Sequence, residues 1–295
     1  MRSHIAVGVT AALALSCMTA ATATAAEKTV APHTQHDGHG FGLNLKALHG
    51  KHTLTRVERH GAKPVTLRLG STAPASADLT RYALTPGDQG QVGSCVAWAT
   101  GYSAYGILMN EQGISGAPMA PMYVYAQIAR GNDQGTLASV ALPMEQKQGI
   151  DTKEDYWQGD FDYTTQPDSD ERANAAHYTL SGYDKLPTKG SSARTAIQNA
   201  LSQGEPVVIG FQAHQSFRSL NSQNASNYSY LPGNSSSDKV IGGHEVTIVG
   251  YNSQGVKIEN SWGTRWGAGG FFTVPWKFFD TGDVMEAHAV GALNS

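Results

Sequence analysis

An α+β fold is predicted, with helices in the first half of the chain and strands in the second. Two patterns predict it. From Ser94 to about Asn110 the run SCVAWATGYSAYGILMN carries small and apolar residues at helical spacing, with Ser94 placed to cap it and Gly113 just past its end. After residue 205 the pattern becomes short Val-, Ile- and Phe-rich runs separated by Gly and Asn turns. The 295 residues, 40% hydrophobic and 15% charged, allow one or two compact domains.

Along the chain, residues 1–25 read as a signal peptide. Arg2 precedes an apolar run from Ile5 to Leu15, and Ala23-Thr24-Ala25 offers a small-residue cleavage site. The run is well short of the ~20 residues that span a bilayer, so a secreted or periplasmic protein without a stable membrane span is expected. Ala14 and Leu15 argue against lipidation of Cys17. Residues 26–75 show little periodicity and hold His33, His36, His39, His49, His52 and His60. They read as a pro-segment or N-terminal tail with net charge +4, against −8 for residues 76–295. Attraction between the two parts is expected, weakened by acid as carboxylates lose charge and the histidines gain it. Further helices are expected over Met119–Ala129 and Ser192–Ser202, and strands over Pro206–Ala213, His244–Tyr251, Val256–Asn260 and Gly270–Val274. Residues 219–238, rich in Ser and Asn, read as an exposed loop with N-x-S acceptors at Asn224, Asn227 and Asn234.

Loss of the first 25 residues would leave Cys95 as the one cysteine, so no intramolecular disulfide could form. A lone thiol in an oxidising compartment needs burial or a chemical purpose. Cys95 falls on the first turn of the predicted helix, where free N–H groups and the helix dipole favour thiolate. Of the downstream histidines His177, His214, His244 and His288, His244 stands out. It opens the alternating run HEVTIVGY and is followed by Asn260 in VKIENSWG, which would set both on adjacent strands. Competing motifs fail on spacing. Ile248 stands where an H-E-x-x-H zinc site needs its second histidine. Asp280-Thr281-Gly282 has no second copy to form an aspartic dyad. The overall charge of −3 gives no case for nucleic acid.

The blocks around Gln89-Gly90-Gln91-Val92-Gly93-Ser94-Cys95, Gly243-His244-Glu245-Val246 and Asn260-Ser261-Trp262-Gly263 resemble, in that order, the motifs of the papain and cathepsin family of cysteine peptidases. The resemblance runs from about Asp78 to Phe272. It implies a papain-like two-lobed fold over 76–295, a helical lobe plus a β-barrel-like lobe with the active-site cleft between them. It implies Cys95 as nucleophile, His244 as base, Asn260 as its orienter and Gln89 as oxyanion donor, with Trp262 shielding the His244–Asn260 bond. No metal or cofactor is required. A peptide or protein substrate is implied, residues 26–75 could cover the cleft as an inhibitor, and a monomer is expected. Val92 replaces a family cysteine and removes a disulfide beside the active-site loop; Val96 replaces the aromatic residue that commonly follows the nucleophile. The turn Asn132-Asp133-Gln134-Gly135 reads either as the loop that binds substrate backbone through Gly135 or as an ordinary turn. Glu245 reads either as a residue bordering the S2 pocket, favouring a basic P2 side chain, or as a surface or salt-bridged glutamate. Two other readings stay open: a non-catalytic binding protein on this scaffold, and an amidase or transpeptidase using the same acyl-enzyme.

Overall fold

The computed structural model describes residues 38–50, 54–66, 72–233 and 236–294. The expected signal peptide, His33, His36, His52 and the acceptor Asn234 lie outside them. In chain order the elements are α1 (Leu45–Leu48), β1 (Glu58–His60), β2 (Ala77–Asp78), α2 (Cys95–Trp98), a π-helical stretch (Ala99–Ala104), α3 (Tyr105–Gln112), α4 (Pro121–Ala129), α5 (Ala138–Gln148) and α6 (Ser169–Ala175). Then come β3 (Tyr183–Lys185), α7 (Gly190–Leu201), β4 (Val207–His214), α8 (Gln215–Arg218), β5 (Val240–Tyr251), β6 (Gly255–Glu259), β7 (Phe271–Pro275) and β8 (Val284–Val290).

Two hydrophobic cores divide the molecule. One gathers Val96, Leu108, Met122, Tyr125 and Leu142 around α2–α5. The other gathers Ile197, Ile209, Phe211, Ile248 and Phe272 around the sheet. Among the described residues the sheet runs β1-β3-β8-β4-β5-β6-β7, with β2 also paired to β5. β1 and β7 are its two ends, so hydrogen bonding does not close the ring. This is an α+β arrangement in two lobes, one helical and one built on the sheet.

The long helix at the centre is built for close approach. Its small residues let neighbours in: a Cβ on Gly101 would lie 2.8 Å from Ile150, and one on Gly106 2.5 Å from Leu84. It ends at Gly113, whose φ of 68° satisfies the left-handed cap position. Its middle turns are π-helical, and Thr100 there donates to the Val96 carbonyl at 3.0 Å and to the buried Glu145. Such turns accompany a side chain inserted into the backbone ladder. Ser94 occupies the cap position, but its hydroxyl is buried without a partner and makes no capping bond. The segment 219–238 is less exposed than expected, because Ala225 and Tyr230 are drawn into the sheet core. α5 and α6 were not anticipated. Pro143 inside α5 masks its helical signal, and the seven residues of α6 are set by an Asp168–Glu171 capping box instead of an apolar stripe.

Candidate active site

Cys95 opens α2 and is completely buried. His244 and Asn260 come from β5 and the end of β6, which pair with Thr247 opposite Glu259. The His244 Nε2–H donates to Asn260 Oδ1 at 2.7 Å, which leaves Nδ1 as the ring's lone-pair nitrogen, buried and without a partner. Asn260 is itself held by the Ser261 N–H, which donates to Oδ1 at 2.9 Å. The Trp262 ring lies 4.9 Å from the His244 ring and keeps water off this bond.

Gln89 is buried, and its amide is oriented from behind by Ser261, whose hydroxyl donates to Oε1 at 2.6 Å. Its NH2 group therefore faces the cleft, donating to the Val92 carbonyl at 2.9 Å and to the Gly40 carbonyl at 3.2 Å. The loop carrying Val92 and Gly93 is held by Asp133. Its carboxylate accepts the Gly93 N–H at 3.0 and 3.1 Å and the Tyr125 hydroxyl. Neither Asp133 nor Ser261 was singled out from the sequence; both lie inside motifs read for other residues.

The cleft is filled. Residues 38–48 thread between the lobes, and the Gly42 N–H donates to Cys95 Sγ at 3.2 Å. The Gly42 carbonyl turns away to accept the Thr136 N–H at 2.8 Å, Asn44 N–H donates to Thr136 O at 3.0 Å, and Leu43 N–H donates to Gly243 O at 3.0 Å. Backbone pairing on this side is thus made by Thr136, while Gly135 contributes room: a Cβ there would lie 2.2 Å from the Gly42 oxygen. The fit is close on the other face too. A Cβ on Gly42 would lie 2.0 Å from Gly93 O, and one on Gly40 2.3 Å from Gln91 O. Phe41 stands edge-on to His244 and Trp262 at 5.7 and 5.5 Å, and His39 stacks on Trp262 at 5.0 Å. Farther along, β1 pairs antiparallel with β3, and Arg59 meets the buried Asp184 at 2.5 Å.

Burial under this segment shapes the chemistry. It pushes the Cys95 thiol up to about 12, despite contacts from the Glu245, Gly42 and Val96 N–H groups. It pulls His244 down to about 4, with the Asn260 bond working the other way. Both groups are neutral, which is the unreactive form of such a pair. His39 and His60 face carboxylates, Asp88 at 3.2 Å and Glu58 at 2.9 Å. Glu245 is neither at the surface nor salt-bridged among the described residues: it is fully buried and meets the carboxyl of Glu286, and burial, then Glu286, holds it well above the usual carboxylate range.

Residues 73–278 match the family model for papain family cysteine protease. The chain belongs to the papain family. Among curated relatives, vignain of Vigna mungo is 25% identical over 81% of this chain and 64% of its own length. A peptidase C1-like protein of Acanthamoeba polyphaga mimivirus is 28% identical over 66% of each chain. The chain thus spans just under two thirds of these papain-family relatives. Among solved structures, xylellain from Xylella fastidiosa superposes with TM-score 0.65 at 21% identity, over 82% of this chain and 100% of its own. Bromelain from Ananas comosus gives 0.56 at 18%, over 74% and 99%.

Proposed function

We propose that the chain is a secreted cysteine endopeptidase that hydrolyses peptide bonds through Cys95, His244 and Asn260, and that residues 38–50 hold it latent. The observation that carries the reading is the peptide strand already lying across the thiol, between an oriented imidazole and an amide donor. Once the strand leaves, water and substrate reach both groups and the thiol proton can pass to His244 Nδ1. Cys95 thiolate then attacks the scissile carbonyl. The Cys95 N–H and Gln89 Nε2 stabilise the oxyanion, and His244 protonates the leaving amine. Water, deprotonated by His244, attacks the acyl-enzyme and releases the product acid. Asn260 fixes the tautomer that leaves Nδ1 free for these transfers.

Latency follows from what the strand offers to the sulfur. Gly42 presents an N–H and directs its carbonyl to Thr136, while Gln89 is occupied by the Gly40 carbonyl. The strand is therefore an inhibitor and not a substrate. The test is peptide turnover by the reduced chain after release of the segment by limited proteolysis, with titration by iodoacetamide. Activity should fall in proportion to one alkylated thiol and be absent in Cys95→Ala. No turnover across a broad peptide library, with Cys95 alkylating no faster than a free thiol, would favour a non-catalytic binding protein.

A further inference from the structure

The helix that opens with Cys95 and the strands that carry His244 and Asn260 belong to different lobes, and two buried hydrogen bonds join them. Thr247 of β5 and Glu259 of β6 are directly opposed across the sheet. Both reach the π-helical stretch Ala99–Ala104. The Thr247 hydroxyl donates to the Ala99 carbonyl at 2.9 Å, and the Ser103 hydroxyl donates to Glu259 Oε1 at 2.8 Å. The stretch is thus caught at its first residue and again near its last. The π geometry shows in the Tyr105 N–H, which reaches back five residues to the Thr100 carbonyl. A carbonyl oxygen has two lone pairs, so Ala99 O can take a donor from outside the helix. Thr247, Glu259 and Ser103 are all buried.

Glu259 is an expensive way to make such a contact. Its Oε2 is buried with no hydrogen-bond partner among the described residues, so one hydroxyl is set against the cost of taking a carboxyl out of water. A polar group kept in a core at that cost points to position, not stability, as its use. The positions it governs are close in the chain. Ala99 follows Cys95 by one helical turn, Thr247 follows His244 on β5, and Asn260 follows Glu259 directly. The Cys95 sulfur also meets the Glu245 N–H of β5, a contact that depends on how the helix sits on that strand.

We propose that Thr247, Glu259 and Ser103 are positioning residues, which lock the Cys95 helix in one register against the His244 and Asn260 strands and so set the approach of Sγ to Nδ1. The proposal rests on the peptidase reading for its turnover arm only. Their hydrogen bonds go to the helix and to one another, not to Cys95 or His244, so they act through the backbone. A misplacement of about 1 Å at reacting atoms can cost on the order of a hundredfold in rate, and losing one of the two bonds should cost part of that.

Small variants test it. Thr247→Val keeps the shape and removes the hydroxyl, while Thr247→Ser keeps the hydroxyl. Ser103→Ala removes the other donor, and Glu259→Gln keeps an acceptor for Ser103. Residues 38–50 are released from the full chain by limited proteolysis, and rates are read well below each unfolding midpoint. At about pH 6, Thr247→Val and Ser103→Ala should each lower kcat about tenfold with KM within about twofold, whereas Thr247→Ser and Glu259→Gln should stay within about threefold of wild type. Iodoacetamide reads the same geometry without turnover. A thiol within reach of an imidazole reacts as ion-paired thiolate in mild acid, so at about pH 5.5 Cys95 should alkylate about tenfold more slowly in Thr247→Val and Ser103→Ala than in wild type or Thr247→Ser. A lower urea midpoint with kcat and acid-side alkylation unchanged overturns the proposal, because the bonds would then hold the fold alone. Equal losses in Thr247→Val and Thr247→Ser overturn it as well. No turnover by the wild type, with the alkylation difference intact, removes the peptidase reading and leaves the positioning role standing.

Discussion

Gly42 decides more than any other single residue of the N-terminal strand. With its amide on the sulfur and Gly93 O 2.0 Å from where a Cβ would stand, Gly42→Ala cannot keep the strand seated. Relief of such overpacking is worth on the order of 1–3 kcal/mol, so Cys95 in that variant should alkylate roughly ten- to a hundredfold faster at neutral pH. The pH dependence carries a second readout. Alkylation requires thiolate, and the wild-type thiol is held near 12 by burial, so its rate should keep rising far into alkaline pH. In Gly42→Ala the midpoint should fall by units, toward an ordinary or ion-paired thiol. An unchanged profile would mean that the strand is not what buries Cys95. The residues proposed as catalytic could be picked out in the sequence because each sits in a short motif. The partners that hold them could not, because Ser261 and Asp133 act through distances that only folding creates.

At the scale of elements, the loop from Gly90 to Ser94 has no cysteine to tie it down, and a hydrogen-bonded carboxylate holds it. Asp133 spans from the turn after α4 to the Gly93 N–H and the Tyr125 hydroxyl. Asp133→Ala leaves that buried N–H without an acceptor, which costs about 1–3 kcal/mol. A lower unfolding midpoint, with kcat reduced more than KM is raised, is expected from urea titration and steady-state kinetics of the released enzyme. Asp133→Asn, which keeps one acceptor, should recover part of both. The strands of the second half were legible because alternation and turn residues are local signals. β8 was not, since its run VMEAHAV mixes Glu286 and His288 into a buried strand. The helix from Cys95 was legible in extent, but its π-helical stretch depends on Glu145 reaching Thr100 from α5.

Over the whole molecule, several buried carboxyls set the response to pH. Burial, ahead of all other causes, raises Glu145 to about 8, Glu205 to about 7 and Glu259 to about 7. Their folded values lie above the unfolded value near 4.3, so the stability they contribute is fully present below about pH 4 and is lost as pH rises through 7 and 8. His244 acts oppositely: pulled down to about 4 by burial, it favours the fold above about 6.5 and ceases to as pH falls through 4. Three falling contributions outweigh one rising one above the unfolded carboxylate value, so the expected urea midpoint is highest near about pH 4 and declines toward pH 8.5. Glu259→Gln, which can still accept from the Ser103 hydroxyl (2.8 Å in the wild type), should flatten the alkaline limb. A midpoint that rises steadily to pH 8.5 would contradict these assignments. The two-lobed outline could be expected from the order of motifs. That the first described residues close the cleft could be expected only as a possibility of charge, since nothing local in GHGFGLNL says which surface it will meet.

The pairing of β1 with β3 bears on solubility. Tyr183–Lys185 would be a free sheet edge if β1 were gone, and the buried Asp184 would lose Arg59. Exposed edges recruit other edges. A processed chain that begins at Leu54 keeps β1 as a fixed border strand while shedding the residues over Cys95, whereas one that begins at Ser76 strips the border as well. The shorter product should self-associate on concentration, visible by light scattering, while the longer stays dispersed. The best boundary between leader and enzyme would then lie before β1, so that part of the apparent leader serves the released enzyme as its guard against aggregation.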